Sequence, residues 1–234
     1  MSDKQELRDA VWDDLESSGE ARFPFPPHDR IPNFAGADDA AERLADHEVW
    51  QAADAVKANP DAPQLPVRRA AMRAGKTVYM AVPRLREAKC FLRLDPEEVP
   101  NIDDATTVGG SAEHGVPVGP DEMPEIDLIV SGSVAVSERG ARVGKGEGYS
   151  DLEYAVLREL GLVDADTPVV TTVHERQVRG HDHVDAHDVP MDLVVTPERT
   201  VETATPYDRP AGIDWSALDD DRIEEMPVLA ARRP

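Results

Sequence analysis

The chain is short of several things, and each shortage removes a class of protein. It has one cysteine, Cys90, which excludes an intrachain disulfide framework. Set beside Phe91, Leu92 and Leu94, that thiol reads as a buried strand residue and not as a nucleophile. No apolar run approaches a membrane span, and the first residues are polar with no signal-peptide core, so a cytoplasmic protein with no membrane partner is expected. Basic residues are scarce too: 25 against 47 acidic ones, a formal net charge of -22, with lysine only at positions 4, 57, 76, 89 and 145. Nucleic-acid binding relies on basic surface to displace counterions, so it is not expected. An acidic, lysine-poor surface suits solubility at high salt, with self-repulsion once salt is removed. A halophilic protein is the expectation, and full stability in dilute buffer would sink it.

What the chain does have is a glycine loop. In Arg142-Val143-Gly144-Lys145-Gly146-Glu147-Gly148-Tyr149-Ser150-Asp151 glycine occupies alternate positions, where backbone bends tightly or approaches a ligand closely. Ile126 to Val130 upstream is an apolar, β-rich run, and Leu152 to Leu160 downstream has helical spacing closed by Gly161. Unpaired N–H groups at a helix start and in a glycine turn make an anion site, and Arg142 and Lys145 add positive charge to it. A polyphosphate is the simplest ligand for such a loop, although the sequence is neither a Walker A loop nor a dinucleotide fingerprint. On the motif alone, a tight β-turn with a solvated lysine stays open beside that reading.

The 234 residues suffice for one large domain or a domain with an appendage. Ser2 to Gln5 resembles a capping box; Leu7, Val11 and Leu15 then share a helical face up to Gly19. Lys4 and Arg8 share another face and can reach one anion together, or sit as ordinary solvated residues. Phe23-Pro24-Phe25-Pro26-Pro27 and Ile31-Pro32-Asn33-Phe34 form an extended connection that either lines a pocket or crosses the surface. Further on, helices are expected from Asp38 to about Asp46 and from Pro66 to Arg73. Strands are expected over Thr77 to Val82, Cys90 to Leu94, Val169 to Val173 and Met191 to Pro197. Val49 to Ala58 is ambiguous between helix and strand, and Asp95 to Glu122 reads as loop-rich. Arg84 and Arg86 fall just past a strand end, where open α/β sheets collect ligands. Alternating strands and helices predict an α/β fold with a largely parallel sheet covered on both faces. Residues 1–200 form the expected domain, and 201–234 a Pro- and Asp-rich tail packed on it or partly disordered. His181 to Asp188 holds metal-type ligands at no standard zinc spacing, so a solvated acidic loop with its end near a ligand is expected.

Gly144-Lys145-Gly146-Glu147-Gly148-Tyr149-Ser150-Asp151, then Gln177, His187-Asp188 and Asp192 before Val194-Val195-Thr196-Pro197, resembles the signature of the 5-formyltetrahydrofolate cyclo-ligase (methenyltetrahydrofolate synthetase) family. The likeness extends to Lys4, Arg8, Gly75-Lys76 and Val82-Pro83. Ile31-Pro32-Asn33-Phe34, Val82 to Arg86, Gly132 to Glu138 and Asp151 to Ala155 are most similar to the methenyltetrahydrofolate synthetase domain-containing subgroup. Animal members of that subgroup carry an RNA-recognition motif after this domain; no aromatic RNP sequence occurs here, and RNA binding is not carried over.

The resemblance implies a three-layer α/β/α fold related to the sugar-phosphate isomerase and CoA-transferase group. It also implies ATP- and Mg²⁺-dependent conversion of 5-formyltetrahydrofolate to 5,10-methenyltetrahydrofolate, by a monomer or homodimer. Lys4, Arg8, Arg142, Gly144, Lys145, Gly146, Gly148 and Tyr149 would then bind nucleotide, with Lys145 and Tyr149 as the catalytic pair. Asp151 and Asp192 would hold Mg²⁺, and Phe34 would meet the folate. Two positions depart from the family pattern: Glu147 stands where a further glycine is usual, and Ser150 where a second tyrosine is. The alternatives are an ATP-using enzyme of the same fold with another small substrate, and a nucleotide-binding protein without catalysis.

Overall fold

A computed structural model of the chain describes residues 3–233; Ser2, the start of the expected capping box, lies outside them. Helix α1 (Asp3–Ser17) buries Val11, Trp12 and Leu15 on one stripe against Ile31, Val134 and Val143. It ends at Gly19, whose φ of 75° suits the left-handed turn that terminates helices. Helices α2 (Ala37–Ala45) and α3 (Leu65–Arg73) follow, and Gly75, at φ 81°, closes α3.

Eight strands form the central sheet: β1 (Ala55–Ala58), β2 (Thr77–Ala81), β3 (Phe91–Leu94), β4 (Val116–Val118), β5 (Leu128–Val130), β6 (Val169–Thr172), β7 (Leu193–Val195) and β8 (Thr200–Glu202). Their spatial order is β8-β7-β6-β5-β1-β2-β3-β4. The run β7-β6-β5-β1-β2 is parallel, and β8, β3 and β4 are antiparallel edges. Every residue of β1, β5, β6 and β7 is buried, as a parallel sheet covered on both faces requires. On one face Leu44 of α2 and Val67, Ala71 and Met72 of α3 pack against Val56, Val78, Val130 and Val170. On the other, helix α4 (Tyr149–Glu159) packs Leu152, Ala155 and Val156 with Ile129, Val169 and Val194. The result is the expected three-layer α/β/α arrangement.

Differences from the sequence reading have local causes. The ambiguous Val49 to Ala58 divides into a one-turn helix, Glu48–Gln51, and strand β1. The stretch read as loop-rich holds helices Ile102–Ala105 and Val108–His114 as well as β4. Both helices are too short for apolar periodicity to register and are started by side-chain caps, Asn101 Oδ1 accepting from Asp104 N at 3.2 Å and Thr107 Oγ1 from Gly110 N at 2.9 Å. Beyond residue 200, β8 extends the sheet, and Ile213, Ile223, Met226 and Leu229 are buried in the core beside α4.

Candidate functional site

Between β5 and β1 the strand order reverses: from β1 the chain builds toward β2, and from β5 toward β6 and β7. Ligands in open α/β sheets collect outside the carboxyl ends of strands at such a switch point. Here that crevice is a cleft of about 520 Å³. Asn59, Pro60 and Asp61 enter it directly after β1, Val82 to Arg84 after β2, and the glycine loop covers it.

The loop springs from a ribbon, Ala135–Val136 paired with Arg142–Val143, and runs into α4. Gly146 (φ 106°) and Gly148 (φ 70°) supply the left-handed backbone, and Gly148 is the N-cap of α4. Asp151, in the first turn, caps nothing. It meets the buried Arg142, whose Nη1 donates to Asp151 Oδ1 at 3.0 Å and Oδ2 at 3.1 Å while Nε donates to Gly132 O at 3.0 Å. From α1, Arg8 Nε donates to Gly144 O at 2.7 Å, and a Cβ on Gly146 would stand 3.4 Å from the Arg8 guanidinium carbon. Burial, offset in part by Asp188 and Asp9, lowers the Arg8 pKa from its usual range. Lys4 donates to Asp185 Oδ2 at 2.7 Å and to Asp188 Oδ2. Asp188 also accepts from Asp185 N at 2.7 Å, and the next residue's amide, Val189 N, donates to Asp151 Oδ1 at 3.1 Å. The structure thus gathers Lys4, Arg8, Arg142, Lys145, Tyr149 and Asp151 around one cleft.

The sequence pattern of the 5-formyltetrahydrofolate cyclo-ligase family matches residues 1–197. The chain belongs to that family. Methenyltetrahydrofolate synthase domain-containing proteins of Bos taurus and Mus musculus are 41% and 42% identical to it, over 98% and 97% of its length. The chain spans 62% of the length of each of these relatives. Among solved structures, the NMR structure of Aquifex aeolicus 5,10-methenyltetrahydrofolate synthetase aligns with a TM-score of 0.55 at 19% identity, covering 87% of this chain and 94% of that one. At that identity the likeness shows a common fold.

Two residues expected at the cyclo-ligase-type site are not brought to it. Asp192 precedes β7, at the amino ends of the parallel strands, and there accepts from Val169 N at 2.8 Å and pairs with Arg209. The acid of this stretch that lines the cleft with Asp151 is instead Asp188, four residues earlier, whose neighbour Val189 donates to Asp151. Phe34 is buried with Ala37 and Ala40, edge-on to His174 at 6.1 Å, because the short strand Asn33–Phe34, paired with Ala21–Arg22, carries it under α2; Ile31 is the member of that segment lining the cleft. Gln177 acts as a brace, with Nε2 donating to Ser133 O at 2.9 Å and Oε1 accepting from His174 N at 2.8 Å. Of the two arginines after β2, Arg84 lines the cleft and Arg86 pairs with Glu225 at 3.0 Å.

The departures from the family pattern have visible partners. Glu147 Oε2 sits 2.7 Å from Lys145 Nζ, and Oε1 3.9 Å from Arg84. Ser150 Oγ lies 3.3 Å from Ser131 Oγ and 3.5 Å from Asn59 Oδ1. Sequence reasoning missed four residues. Asp61 borders the cleft, where burial pushes its carboxyl above the usual range against the pull of Lys145, Arg68 and Arg142. Lys57, of β1, pairs with Glu153 of α4, both buried. A charge inside each of two apolar runs, Ala55-Val56-Lys57-Ala58 and Leu152-Glu153-Tyr154-Ala155, was the available signal. Arg222, beyond the family match, donates to Glu147 O at 2.9 Å and stacks over Tyr149 at 5.4 Å; no sequence motif marks it.

Proposed function

We propose that the protein converts 5-formyltetrahydrofolate to 5,10-methenyltetrahydrofolate with ATP and Mg²⁺. The observation that carries this reading is the convergence of Arg8, Arg142 and Lys145 on a glycine loop that opens α4 at the sheet's switch point. Loop N–H groups, the helix start and these cations suit a triphosphate. The formyl oxygen is a poor leaving group; transfer of the γ-phosphoryl group to it gives ADP and an activated carbon. N10 attacks that carbon and loses its proton, which ends on the phosphate released as the C–O bond breaks. Such chemistry needs alignment and charge neutralisation more than a nucleophilic side chain. Lys145 and Tyr149 stand on the loop where the transferred group would lie, and Lys4 and Arg8 reach the nucleotide from α1.

Asp185, His187 and Asp188 each offer a ligand atom within 4.8 Å of the others, and Asp151 is joined to that turn through Val189 N. Hard carboxylate oxygens with room for water and phosphate suit Mg²⁺. Asp188 and Asp151 would hold it, and its charge would offset that of the phosphates.

The test is formation of the methenyl product, followed by near-ultraviolet absorbance with ATP, Mg²⁺ and high potassium chloride. Lys145→Ala and Asp188→Ala should each lose at least ~100-fold in rate with folding intact. A folded wild-type protein that makes no product refutes the reading. The Lys145–Glu147 ion pair favours nucleotide binding without folate chemistry, whether by an ATP-using enzyme with a different small substrate or by a non-catalytic nucleotide binder. Thermal stabilisation by Mg²⁺-ATP but not by 5-formyltetrahydrofolate would select it.

A further inference from the structure

The glycine loop is also held from the side that faces away from the cleft. Past residue 212 the chain settles into the core beside α4, where Ile213, Ile223, Met226 and Leu229 are each no more than 8% exposed. Ile223 belongs to the short helix Asp220–Glu224, whose start is capped by Asp219 Oδ1 accepting from Arg222 N at 2.7 Å. The cap and the buried neighbour fix where Arg222 sits. From there its side chain meets three consecutive loop residues. Arg222 Nη2 donates to Glu147 O at 2.9 Å, the guanidinium carbon stands 5.4 Å from the centre of the Tyr149 ring, and a Cβ on Gly148 would stand 3.7 Å from Nη2. Arg222 lines a second cavity, of about 540 Å³, between α4 and residues 210–218. Gly148 lines both spaces and forms the partition between them.

This contact decides which way one peptide group faces. A trans peptide directs its C=O and N–H to opposite sides, and the Glu147–Gly148 peptide is trans. With the Glu147 carbonyl drawn to Arg222 on the side of the second cavity, the Gly148 N–H is turned toward the cleft. There it donates to no acceptor among the described residues. The loop's own glycines do not enforce that orientation: Gly146 and Gly148, at φ 106° and 70°, flank the segment, and glycine crosses between left- and right-handed backbone at little cost. A flipped peptide would aim a carbonyl oxygen at the phosphates, where an anion site needs N–H groups. We infer that Arg222 is a positioning residue for the phosphate loop: by holding the Glu147 carbonyl outward it aims the Gly148 N–H at a bound polyphosphate. The segment beyond the family match is thereby part of the nucleotide site. This rests on the nucleotide-binding part of the reading above. Arg222 itself touches no substrate, and its stacking on Tyr149 steadies the same stretch of loop from behind.

The experiment uses the full chain labelled with ¹⁵N-glycine. It follows Mg²⁺-ATP binding by titration calorimetry, at about 0.1 M and about 1 M potassium chloride, and by the Gly148 amide resonance at saturation. In wild type the Gly148 amide proton should move downfield as its hydrogen bond to phosphate forms. Arg222→Met keeps the stem and loses the donor. It should bind Mg²⁺-ATP at least ~10-fold more weakly at both salt concentrations, lose the downfield movement, and melt within a few degrees of wild type. Arg222→Lys, which keeps a donor, should fall between the two in affinity and restore part of the movement. A loss of affinity that disappears at about 1 M, where exposed charges are screened beyond ~3 Å, would mean that Arg222 acts by charge alone and overturn the inference. So would a full Gly148 movement in Arg222→Met, which would leave the peptide's orientation independent of Arg222. Should Arg222→Met not fold, a Gly148 resonance that stays still while wild type binds Mg²⁺-ATP overturns the inference by itself. A folded wild type that binds no Mg²⁺-ATP would refute the nucleotide reading and, with it, this one.

Discussion

Glu147→Gln should tighten nucleotide binding. In the free protein Lys145, the loop's own cation, is engaged by Glu147 at 2.7 Å, with the two side chains 37% and 41% exposed. At that exposure the pair contributes about 0.2–1 kcal/mol to stability, so the variant should melt within a few degrees of wild type. Its effect on a triphosphate is larger, because two terms add. Lys145 no longer has to leave a carboxylate, worth up to about 1 kcal/mol, and a negative charge no longer faces the phosphates, worth about 1 kcal/mol more at contact range in a solvated cleft. Together they predict Mg²⁺-ATP binding ~10- to 30-fold tighter. Titration calorimetry at about 0.1 M and about 1 M potassium chloride separates the terms, because the longer-range repulsion is screened as the Debye length shrinks to ~3 Å. The gain should narrow with salt without vanishing. Unchanged or weaker affinity at low salt, in a variant that melts like wild type, would refute the idea that Glu147 competes with the nucleotide for Lys145.

Three further outcomes are expected. Arg142→Met leaves Asp151 and the Gly132 carbonyl without their buried partner and should cost about 3–5 kcal/mol, lowering Tm by ~10 °C; a loss below about 1 kcal/mol would mean that water already serves Asp151. Burial, reinforced by the stacked His183, pushes the pKa of His181 from its ordinary 6.5 down to about 4. Its stabilising contribution is therefore full above pH 6.5 and lost as pH falls toward 4; an NMR titration of its ring with a midpoint near 6.5 would refute the burial. Finally, a net charge of -22 predicts a Tm that rises steadily with potassium chloride, and a flat profile from dilute buffer upward would remove the halophilic reading.

The sheet and its covering helices are legible in the sequence because each rests on a signal confined to a few neighbouring residues: β-branched runs at Ile126 to Val130 and Val169 to Val173, apolar stripes in the helices, glycines at 19, 75 and 161. The glycine loop is legible for the same reason. What the sequence conceals is anything decided by which end of a strand a residue reaches. Asp188 and Asp192 are four residues apart in a continuous stretch, and both are acids of plausible type; only the run of residues 189–191 from the cleft to the amino ends of the strands separates them, leaving one at the cleft and the other at the opposite edge beside Arg209. Lys57 and Glu153 are 96 positions apart, and their pairing follows from α4 lying over β1 at the switch point, a long-range choice no local period records. Arg222 is hidden more completely, since its segment lacks periodicity and lies past the family match, yet it closes on Tyr149 and Glu147 from outside. These concealed residues share a property: each is a charge whose partner comes from another layer or another end of the chain. Apolar patterning specifies which surfaces must meet, and so fixes layers; it is indifferent to which buried charge meets which. Function in this fold is therefore to be sought where a charge interrupts an apolar run, as at Lys57 and Glu153, because such an interruption costs desolvation and packing alone does not account for it.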